Sequence, residues 1–425
     1  MSYKSRPTQS GVPVCYPLGR WMEFHMNKPV VALGSITISA LLAVAAATPA
    51  AAAPAPASAR ALTWSVVHSP NRGVGGSLSG VSCTSAHGCM AVGAFGDSTG
   101  VGRTLAESWN GSRWSVAPSA NRGSGGNALF GASCALAAAC MAVGASGLAS
   151  GGASGLSGSE QRTLIESWDG TRWSVLPSPS PGSTGSALFG VSCVSADLCA
   201  AVGAAGNSGD IERPLAESWD GTRWSVVPSP SLGSGGTLYA VSCTANNACM
   251  AVGCFGKGNN CFRALTESWD GARWTKVPSA SPGIAGNRLN GVSCVSAGAC
   301  TAVGVDGTGN GVTTSLVESW DGTRWSAVPS PNPGPGYTWL SGVSCTSTDA
   351  CVATGNYFTS TGSNRTLIES WDGTRWSAVP HPQPGIEGRE LVGVSCVSKT
   401  ACTAAGWYFG HGTTITLIET GTAGR

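Results

Sequence analysis

The chain contains 425 residues, of which only 11% are charged, and its formal net charge is +2. Binding to nucleic acid or to an anionic membrane surface depends on strongly basic patches, so this composition argues against both as the main partner. With 61 Gly, 24 Pro and 16 Trp, the sequence is rich in turns yet too apolar for a disordered chain, and this combination favours many short strands.

The first segment has the order of parts found in an export signal. Lys28 precedes a long, largely apolar run, which is followed by the small-residue stretch TPAAAAPAPA. This order predicts a signal peptide region over residues 1–53, with cleavage near Ala52 or Ala53, and a Pro/Ala linker at 54–60. The protein is therefore expected to be secreted and to keep no stable membrane span after cleavage. A retained N-terminal membrane anchor facing the outside is the alternative.

The stretch that precedes the apolar run is long for a signal peptide, whose charged n-region is normally short. Met22 and Met26 both stand just before the run. We therefore expect translation to begin at Met26 or Met22. Cys15 would then be absent, and the mature chain would keep an even number of cysteines, 16 of the 17.

One unit of about 50 residues recurs seven times after this segment. A GVSC-like tetrapeptide marks it, at spacings of 51, 59, 50, 51, 51 and 51 residues. Repetition with such a period is typical of solenoids and propellers. The tetrapeptides end at Cys83, Cys134, Cys193, Cys243, Cys294, Cys345 and Cys396.

Each unit contains four β-prone stretches. It reads L-x-G-V-S-C, five residues, C-x-A-V-G, a variable loop, and T-L-x-E-S-W-D-G-T-R-W-S-V-x-P-S-P. The third and fourth stretches are joined by Asp-Gly or Asn-Gly, the strongest short-range hairpin signal. The prolines that follow end the fourth stretch, because proline cannot donate to a sheet. A four-stranded unit of this length, without helical periodicity, predicts a propeller blade.

The two ends of the repeated region complete each other. The seventh unit stops at Thr420 without its WDGTRW strand, and an equivalent strand stands at the other end, as residues 62–67. Such a permutation closes a ring, and closure removes exposed sheet edges. We therefore predict an all-β fold over residues 61–421: a seven-bladed β-propeller with four-stranded blades, in which the N-terminal strand closes the last blade.

The repeated motif ESWDGTRWSVVPSP resembles that of secreted WDGTxW-type repeat proteins of high-GC bacteria, and more broadly the chain is similar to kelch-like propellers. The resemblance covers roughly residues 60–420. The turn Ser-x-Asp-Gly-x-x-Trp also resembles the Asp-box of sialidase-type propellers, although it is one residue shorter. The resemblance implies the architecture and no single activity, because propellers include enzymes, lectins and docking platforms.

Cysteine pairs with the spacing C-x5-C recur in every unit. The first cysteine ends one strand and the second begins the next, so a hairpin brings their Cα atoms within bridging distance. One disulfide per blade would indicate an oxidising compartment. Metal binding is the alternative, but zinc sites usually need two converging pairs at other spacings, and we expect no metal. The expected disulfides are Cys83–Cys89, Cys134–Cys140, Cys193–Cys199, Cys243–Cys249, Cys294–Cys300, Cys345–Cys351, Cys396–Cys402 and, within one variable loop, Cys254–Cys261.

Tryptophan, glutamate and arginine also recur with the repeat. Paired tryptophans such as Trp109 and Trp114 could stack on sugars, but packing between blades explains every copy at once. The recurring Glu and Arg residues are spread around the ring and do not converge on one site. We therefore expect them to form hydrogen bonds and ion pairs of the scaffold. The glutamates are Glu107, Glu166, Glu217, Glu267, Glu318, Glu369 and Glu419.

The variable loops identify the candidate binding face. Strand direction alternates within a blade, so the Cys-bridged loop and the WDGTRW turn share one face of the disc, and the variable loops share the other. Blades five to seven carry aromatic and charged residues there, the composition of a recognition surface. Ordinary loop packing is the alternative. The candidate ligand-binding residues are Arg288, Tyr337, Trp339, Glu387, Arg389, Glu390, Trp407 and Tyr408.

The sequence contains no nucleophile elbow, HExxH motif, phosphate-binding loop or calcium loop. We therefore expect a secreted, monomeric binding protein that is not an enzyme and needs no cofactor. The expected ligand is extracellular or part of the cell envelope and is bound through the variable-loop face; a polysaccharide is the first hypothesis. Docking of a protein partner at the cell surface is the first alternative. A sialidase-like glycosidic enzyme is the second, and it is disfavoured because the sequence offers no converging pair of acids.

Overall fold

The computed structural model of the protein describes most of the chain from residue 62 onward. The signal peptide region and linker predicted at 1–60 therefore lie outside the described residues, as does Cys261. Within the described part, no helix has the length and apolar character needed to cross a bilayer. The described residues are 62–148, 161–207, 211–230, 233, 235–256, 262–280, 286–309, 311–385 and 387–423.

In these ranges 28 strands form seven four-stranded antiparallel sheets. The strands of blades one to four are β2 Val74–Ser85, β3 Gly88–Gly96, β4 Gly102–Trp109, β5 Trp114–Val116, β6 Gly126–Leu136, β7 Ala139–Leu148, β8 Arg162–Trp168, β9 Trp173–Leu176, β10 Ser186–Ser195, β11 Leu198–Gly206, β12 Glu212–Trp219, β13 Trp224–Val227, β14 Gly236–Ala245, β15 Ala248–Phe255, β16 Arg263–Trp269 and β17 Trp274–Val277. Those of blades five to seven are β18 Arg288–Ser296, β19 Ala299–Gly307, β20 Thr313–Trp320, β21 Trp325–Ala327, β22 Thr338–Ser347, β23 Ala350–Phe358, β24 Asn364–Trp371, β25 Trp376–Ala378, β26 Glu387–Ser398, β27 Ala401–Gly410, β28 Thr413–Ala423 and β1 Leu62–Val67.

Each blade is one repeat, with its strands side by side in chain order, as in β2-β3-β4-β5. The first strands of neighbouring blades contact one another in a closed circuit, so they are the innermost strands. The last blade has the order β26-β27-β28-β1, because β1 pairs with β28 from Leu62↔Ala423 to Val67↔Ile418. The predicted all-β, seven-bladed propeller and its closure by the N-terminal strand are confirmed.

The serine of the GVSC motif joins each blade to the next. The Cys134 N–H donates to Ser82 Oγ of the preceding blade at 2.9 Å, and the same bond recurs around the ring. The circuit ends where it began, since the Cys83 N–H donates to Ser395 Oγ at 3.0 Å. Seven hydrogen bonds thus close the ring in addition to the pairing of β1 with β28.

Glycine at two positions of the repeat allows the strands to approach closely. A Cβ at Gly203 would lie 2.0 Å from the carbonyl oxygen of Ala187 on the innermost strand, and the equivalent distance in every other blade is 1.9 Å. The glycine of GVSC faces the next blade, where a Cβ at Gly131 would lie 2.8 Å from the Phe189 carbonyl oxygen. Backbone therefore packs directly on backbone at both positions, and only blade four has a larger residue, Ala240, in the GVSC glycine's place.

Seven disulfides, one in each blade, join the first strand to the second. Their Cα atoms lie 3.9–4.0 Å apart. The two cysteines stand opposite each other in the strand register, as Cys193 and Cys199 do. The predicted C-x5-C disulfides are therefore confirmed, and their number is consistent with an oxidising compartment. Cys254 is also disulfide-bonded.

The hydrophobic core lies mainly between neighbouring blades, where each cluster draws residues from two of them. Trp173, for example, packs with Leu164 of its own blade and with Met90 of the preceding one. The second Trp of each hairpin is only 3–6% exposed, and Trp64 of β1 takes that place in blade seven at 5%. The first Trp is half-buried, and Trp109 Nε1 donates to the Cys-bridged loop at 3.1 Å. The recurring tryptophans are therefore part of the packing, as predicted.

The recurring glutamates lie inside the blades, where each is 0–1% exposed. In six of the seven, a serine of the preceding repeat donates to the carboxylate at 2.5–3.0 Å, as Ser178 does to Glu217. Burial raises the pKa of Glu217 to about 8 and that of Glu166 to about 7, although the serine bonds lower both in part. The predicted hydrogen-bonding role is confirmed, but the partner is serine instead of arginine.

Blade seven lacks this bond. His381 stands where the other repeats have the serine, and its ring nitrogens contact the Val379 carbonyl oxygen and Thr366 Oγ1, both at 2.9 Å. Neither carboxyl oxygen of Glu419 has a hydrogen-bond partner among the described residues. Burial therefore raises the pKa of Glu419 to about 8. The blade that closes the ring depends on strand pairing and packing without the glutamate–serine bond.

The arginines of the WDGTRW turns form ion pairs within their own turns. Asp169 Oδ1 accepts hydrogen bonds from the Thr171 N–H, the Thr171 hydroxyl and the Arg172 N–H. Arg172 Nε lies 3.7 Å from Asp169 Oδ2, with both side chains exposed. The bond from the Thr171 hydroxyl is the main reason why the pKa of Asp169 falls to about 2. Four further turns repeat this ion pair, so it is a local feature of the hairpin.

The buried glutamates predict that the protein loses stability as the pH rises. Because their folded-state pKa is raised from 4.5 to about 7–8, their contribution to stability is complete below about pH 4.5 and is lost as the pH passes through 7–8. We expect the free energy of unfolding in denaturant to fall between about pH 5 and 9, by at most roughly 3–5 kcal/mol per glutamate. Burial lowers the pKa of His381, which acts in the opposite direction but as a single group.

Glu217→Gln should flatten this pH profile, because glutamine has no charged form to bury. The conservative replacement keeps an acceptor for Ser178. A free energy of unfolding that stays constant or increases from about pH 5 to 9 in the wild-type protein would show that the carboxylates remain ionised in the folded state.

The close strand contact at Gly203 predicts a large effect of a single methyl group. Gly203→Ala would place its Cβ against the Ala187 carbonyl oxygen, so backbone must move, and we expect a loss of about 1–3 kcal/mol in the free energy of unfolding. Gly336→Ala is the matched control, since a Cβ there meets nothing within 4 Å. Equal stabilities of the two variants would mean that the strands do not approach as closely as described.

Candidate functional site

The innermost strand of every blade carries a bulge at the same position. The register shifts between the Leu and the small residue of L-x-G-V-S-C, as between Leu188 and Gly190, so the residue at x is left unpaired. A bulge re-aims its side chain, and all seven bulged residues line one cavity at the centre of the ring. They are Ser79, Phe130, Phe189, Tyr239, Asn290, Ser341 and Val392.

This central cavity has a volume of about 480 Å³, a size typical of small-ligand sites. It extends from the bulged residues toward the variable loops, since Phe358 and Asn364, at the two ends of the loop between β23 and β24, also line it. Blades four to seven add the residue that precedes the Leu of the motif. These four upper residues are Thr237, Arg288, Trp339 and Glu390.

Aromatic rings form one wall of the cavity, on blades two to four. Phe130 and Phe189 have their ring centroids 5.6 Å apart, and Phe189 and Tyr239 are 5.7 Å apart. Both pairs are tilted, by 37° and 47°, so the rings form a curved arc. Arg288 of blade five extends the arc, with its Cζ 5.5 Å from the Tyr239 centroid. On the other side of the ring the bulged residues Ser79, Ser341 and Val392 are small.

A polar cluster adjoins the end of the arc. Thr237 Oγ1 donates to Glu212 at 2.6 Å, and Glu212, Thr237, Tyr239 and Arg288 all line the cavity. Burial raises the pKa of the Tyr239 hydroxyl, and the charge of Arg288 opposes that rise. The phenol therefore stays protonated at neutral pH and remains a hydrogen-bond donor.

Two strand pairs on blades six and seven each bring an indole beside a hydrogen-bond acceptor. Trp339 is opposite Asn356 in the strand register, and Glu390 is opposite Trp407. All four residues line the cavity. Glu390 is only 7% exposed and accepts a hydrogen bond from Ser341 Oγ at 2.7 Å. This wall therefore offers both apolar ring surface and oxygen acceptors.

Asn356 is a buried amide with an unsatisfied acceptor. It is 2% exposed, and its Oδ1 has no hydrogen-bond partner within the described part of the chain. A buried acceptor without a partner costs about 1–3 kcal/mol. Because Asn356 also lines the cavity, it is a candidate for a hydrogen bond to a bound ligand.

Four of the eight residues predicted from the sequence line the cavity: Arg288, Trp339, Glu390 and Trp407. Trp339 is held in place, since its Nε1 donates to Thr313 Oγ1 at 3.0 Å.

Three of the other predicted residues, Tyr337, Arg389 and Tyr408, are not among those that line the cavity. Tyr337 is 36% exposed and packs edge-on against Trp339, with centroids 6.4 Å apart. Arg389 is 3% exposed and donates to the carbonyl oxygens of Gln383 and Gly385 at 2.9 and 3.0 Å. Tyr408 packs against the core of blade seven. The side chain of Glu387 lies outside what the structure describes.

Sequence reasoning missed the aromatic arc and Asn356. The signal for the arc was present in the motif itself, because x of L-x-G-V-S-C is Phe, Phe and Tyr in blades two to four. Asn356 stands before the two aromatic residues of a variable loop, and no sequence pattern distinguishes it from an ordinary loop asparagine. Within the described ranges, no group of three or more His, Cys, Asp or Glu side chains is arranged to hold a metal ion.

Comparison with known proteins shows the fold. No protein family and no curated protein matches this chain in sequence. A solved structure of YCF48 bound to D1 peptide is similar with a TM-score of 0.50 and 12% identity, over 85% of this chain and 97% of that one. YCF48 from Cyanidioschyzon merolae has a TM-score of 0.48 and 12% identity, over 84% and 98%. A Trypanosoma rangeli sialidase in complex with sialic acid has 0.45 and 12%, over 84% of this chain and 58% of the sialidase.

Tyr408 and its neighbour Phe409 provide a test of which aromatic residues belong to the core. Tyr408→Ala should lower the free energy of unfolding by about 2 kcal/mol, because its ring packs against the core of blade seven. Phe409→Ala is the control, since that ring is 36% exposed and its loss should cost less than about 0.5 kcal/mol. Chemical denaturation measures both. A Tyr408→Ala variant as stable as the wild type would return Tyr408 to the candidate binding surface.

Proposed function

We propose that the protein is a non-catalytic binding propeller whose ligand, an extracellular or cell-envelope carbohydrate, enters the central cavity from the variable-loop face. The observation that carries this proposal is the ring of seven bulged residues. Each bulge turns one side chain away from the blade and toward a shared space. The same β-bulge thus occurs in all seven blades, and the side chain that it directs into the cavity differs from blade to blade.

The chemistry of the walls favours a carbohydrate. Sugars present apolar C–H faces and many hydroxyl groups, and the cavity offers rings for the former and polar groups for the latter. The rings belong to the aromatic arc and to the two tryptophans, while Gln161, Asn290 and Asn356 add amides. Pockets of this kind combine apolar surface with a few placed polar groups.

The proposal does not include catalysis. The recurring glutamates, the acids most prominent in the sequence, lie inside the blades and are 0–1% exposed. Two carboxylates, Glu212 and Glu390, line the cavity, and each accepts a hydrogen bond from a neighbouring hydroxyl. In this arrangement they serve as acceptors for ligand hydroxyl groups.

Protein docking is the second candidate. The YCF48 propeller, whose fold this chain shares, has been solved with a bound D1 peptide. A peptide that adds a strand to a sheet edge needs free backbone groups. Here the innermost strands meet one another at the GVSC glycines, where a Cβ would lie 2.7–3.2 Å from the next strand. A peptide in the central cavity would therefore have to bind through side chains, whereas the walls of the cavity offer the ring faces and polar groups that suit a carbohydrate.

Export to the cell exterior belongs to the same proposal. The seven disulfides suit an oxidising compartment, and the apolar N-terminal run has the character of a signal peptide. The innermost strands pack on one another around the closed ring, and β1 completes the last blade, so the fold closes without a second copy, and we propose that it acts as a monomer.

Substitution at the cavity wall tests the proposal. The purified protein would be tested for binding to a panel of polysaccharides and isolated cell walls. Trp339→Ala should weaken binding at least about tenfold, because truncation of a tryptophan that anchors a ligand typically costs about 2 kcal/mol or more. Phe409→Ala is the matched control, since this exposed aromatic of the same face does not line the cavity, and it should bind like the wild type.

Binding that both variants retain would place the ligand elsewhere on the surface. Binding of an extracellular protein, with no carbohydrate bound, would favour docking. Release of sugar from a glycoside panel, lost on Glu390→Gln, would show that the protein is an enzyme.

A further inference from the structure

We infer that the central cavity recognises the end of a carbohydrate chain, and not an internal segment. This inference rests on the proposed function and adds to it the part of the ligand that is bound. Two independent features lead to it: the closed wall of the cavity and the unsatisfied acceptor inside it.

The wall of the cavity has no lateral opening for a polymer. Neighbouring innermost strands are in backbone contact at the GVSC glycines, where a Cβ at Gly190 would lie 2.9 Å from the Cα of Ala240. The contact continues across the junction of the last and first blades, where a Cβ at Gly393 would lie 3.2 Å from the Val81 nitrogen. An open binding groove would let a chain lie across it. Here the bulged residues are reached only along the axis of the ring, so a chain must insert one of its ends to contact them.

The depth of the contacts matters because the aromatic arc lies at the level of the bulges. Phe130, Phe189 and Tyr239 are the x residues of the motif, below the upper residues Trp339 and Glu390. A chain lying across the mouth would touch the upper residues and leave the arc unused. A terminal sugar inserted end-on reaches both levels.

The acceptor at Asn356 distinguishes a chain end by its chemistry. Each glycosidic bond turns a hydroxyl group, which can donate, into an ether oxygen, which can only accept. A terminal residue therefore carries one more O–H donor than an internal residue. Asn356 as a residue is 2% exposed and lines the cavity, and its Oδ1 is an acceptor without a hydrogen-bond partner among the described residues. Glu390, which lines the same wall of the cavity, also accepts a hydrogen bond, so this part of the site favours the additional hydroxyl.

If the protein recognises chain ends, the amount of protein bound depends on the number of carbohydrate chain ends and not on the mass of carbohydrate. The experiment uses short and long linear members of the glucan and N-acetylglucosamine series with β-1,4, β-1,3 and α-1,4 links, titrated by calorimetry into the full-length mature protein. We expect one protein molecule per chain whatever the length, with affinity per chain nearly constant. Methylation of the terminal hydroxyls should weaken binding about tenfold, the effect of losing a hydrogen bond to a buried acceptor.

Asn356→Leu is the informative variant, because the Oδ1 that it removes makes no hydrogen bond within the described protein. It should be at least as stable as the wild type, since replacing an unsatisfied polar group by an apolar one of similar size is neutral or stabilising. It should bind roughly tenfold more weakly and should no longer distinguish methylated from free ends. A purely structural Asn356 would give the opposite result, with lower stability and unchanged binding.

The outcomes separate the two proposals. Protein bound per chain that increases with chain length would overturn chain-end recognition and leave carbohydrate binding intact, as would a ring-closed glucan bound as tightly as the linear one. No binding to any carbohydrate of the panel, by wild-type protein shown to be folded, would overturn the proposed function together with this inference.

Discussion

The direct contact of seven innermost strands around one axis is the constraint on which the rest of the structure depends. At Gly131, Gly190 and Gly393 there is no space for a side chain between one strand and the next, so neighbouring blades meet through backbone. The GVSC serines then bond one blade to the following one around the whole circle. Each blade also packs hydrophobic side chains against its neighbour. The second tryptophan of each hairpin is buried in that contact. Every blade makes these contacts, because the loss of one contact between neighbouring blades would open the ring.

The residue at position x of the motif is not needed for the pairing of the strands. The bulge turns this residue out of the ladder, so its size and polarity do not affect pairing within the blade. The seven x residues range from serine to phenylalanine while the Leu before them stays fully buried. The upper residues vary in the same way, from Thr237 to Trp339. Stability and recognition are thus assigned to alternate positions of one short strand, and the cavity becomes asymmetric although the scaffold is nearly sevenfold.

Most of the fold could be predicted from the sequence, because the features that define it repeat. Strand number, closure by residues 62–67 and the C-x5-C disulfides all follow from patterns that recur or complete one another. The sequence predicts correctly that the buried glutamates belong to the scaffold. It does not predict their serine partners, because each serine belongs to the preceding repeat and the contact forms only when the blades stack. Arg389 shows the limit for the site: it looked like Glu390 in the sequence, yet adjacent strand residues point to opposite sides, and it faces the Gln383 and Gly385 carbonyls. The arc at Phe130, Phe189 and Tyr239 needed knowledge of the bulge, because an unshifted strand would have directed these rings elsewhere.

The repeat has an implication for how such a chain can change over generations. Since the units are nearly identical in sequence, their coding segments can exchange with one another by recombination. An exchange of one unit for another keeps the serine, the cysteines and the buried glutamate, which all seven units share, so the ring still closes. It replaces the x residue and the upper residue of a single blade, which alters one sector of the cavity wall. Ligand specificity can therefore change one blade at a time, while every intermediate sequence still encodes a closed propeller.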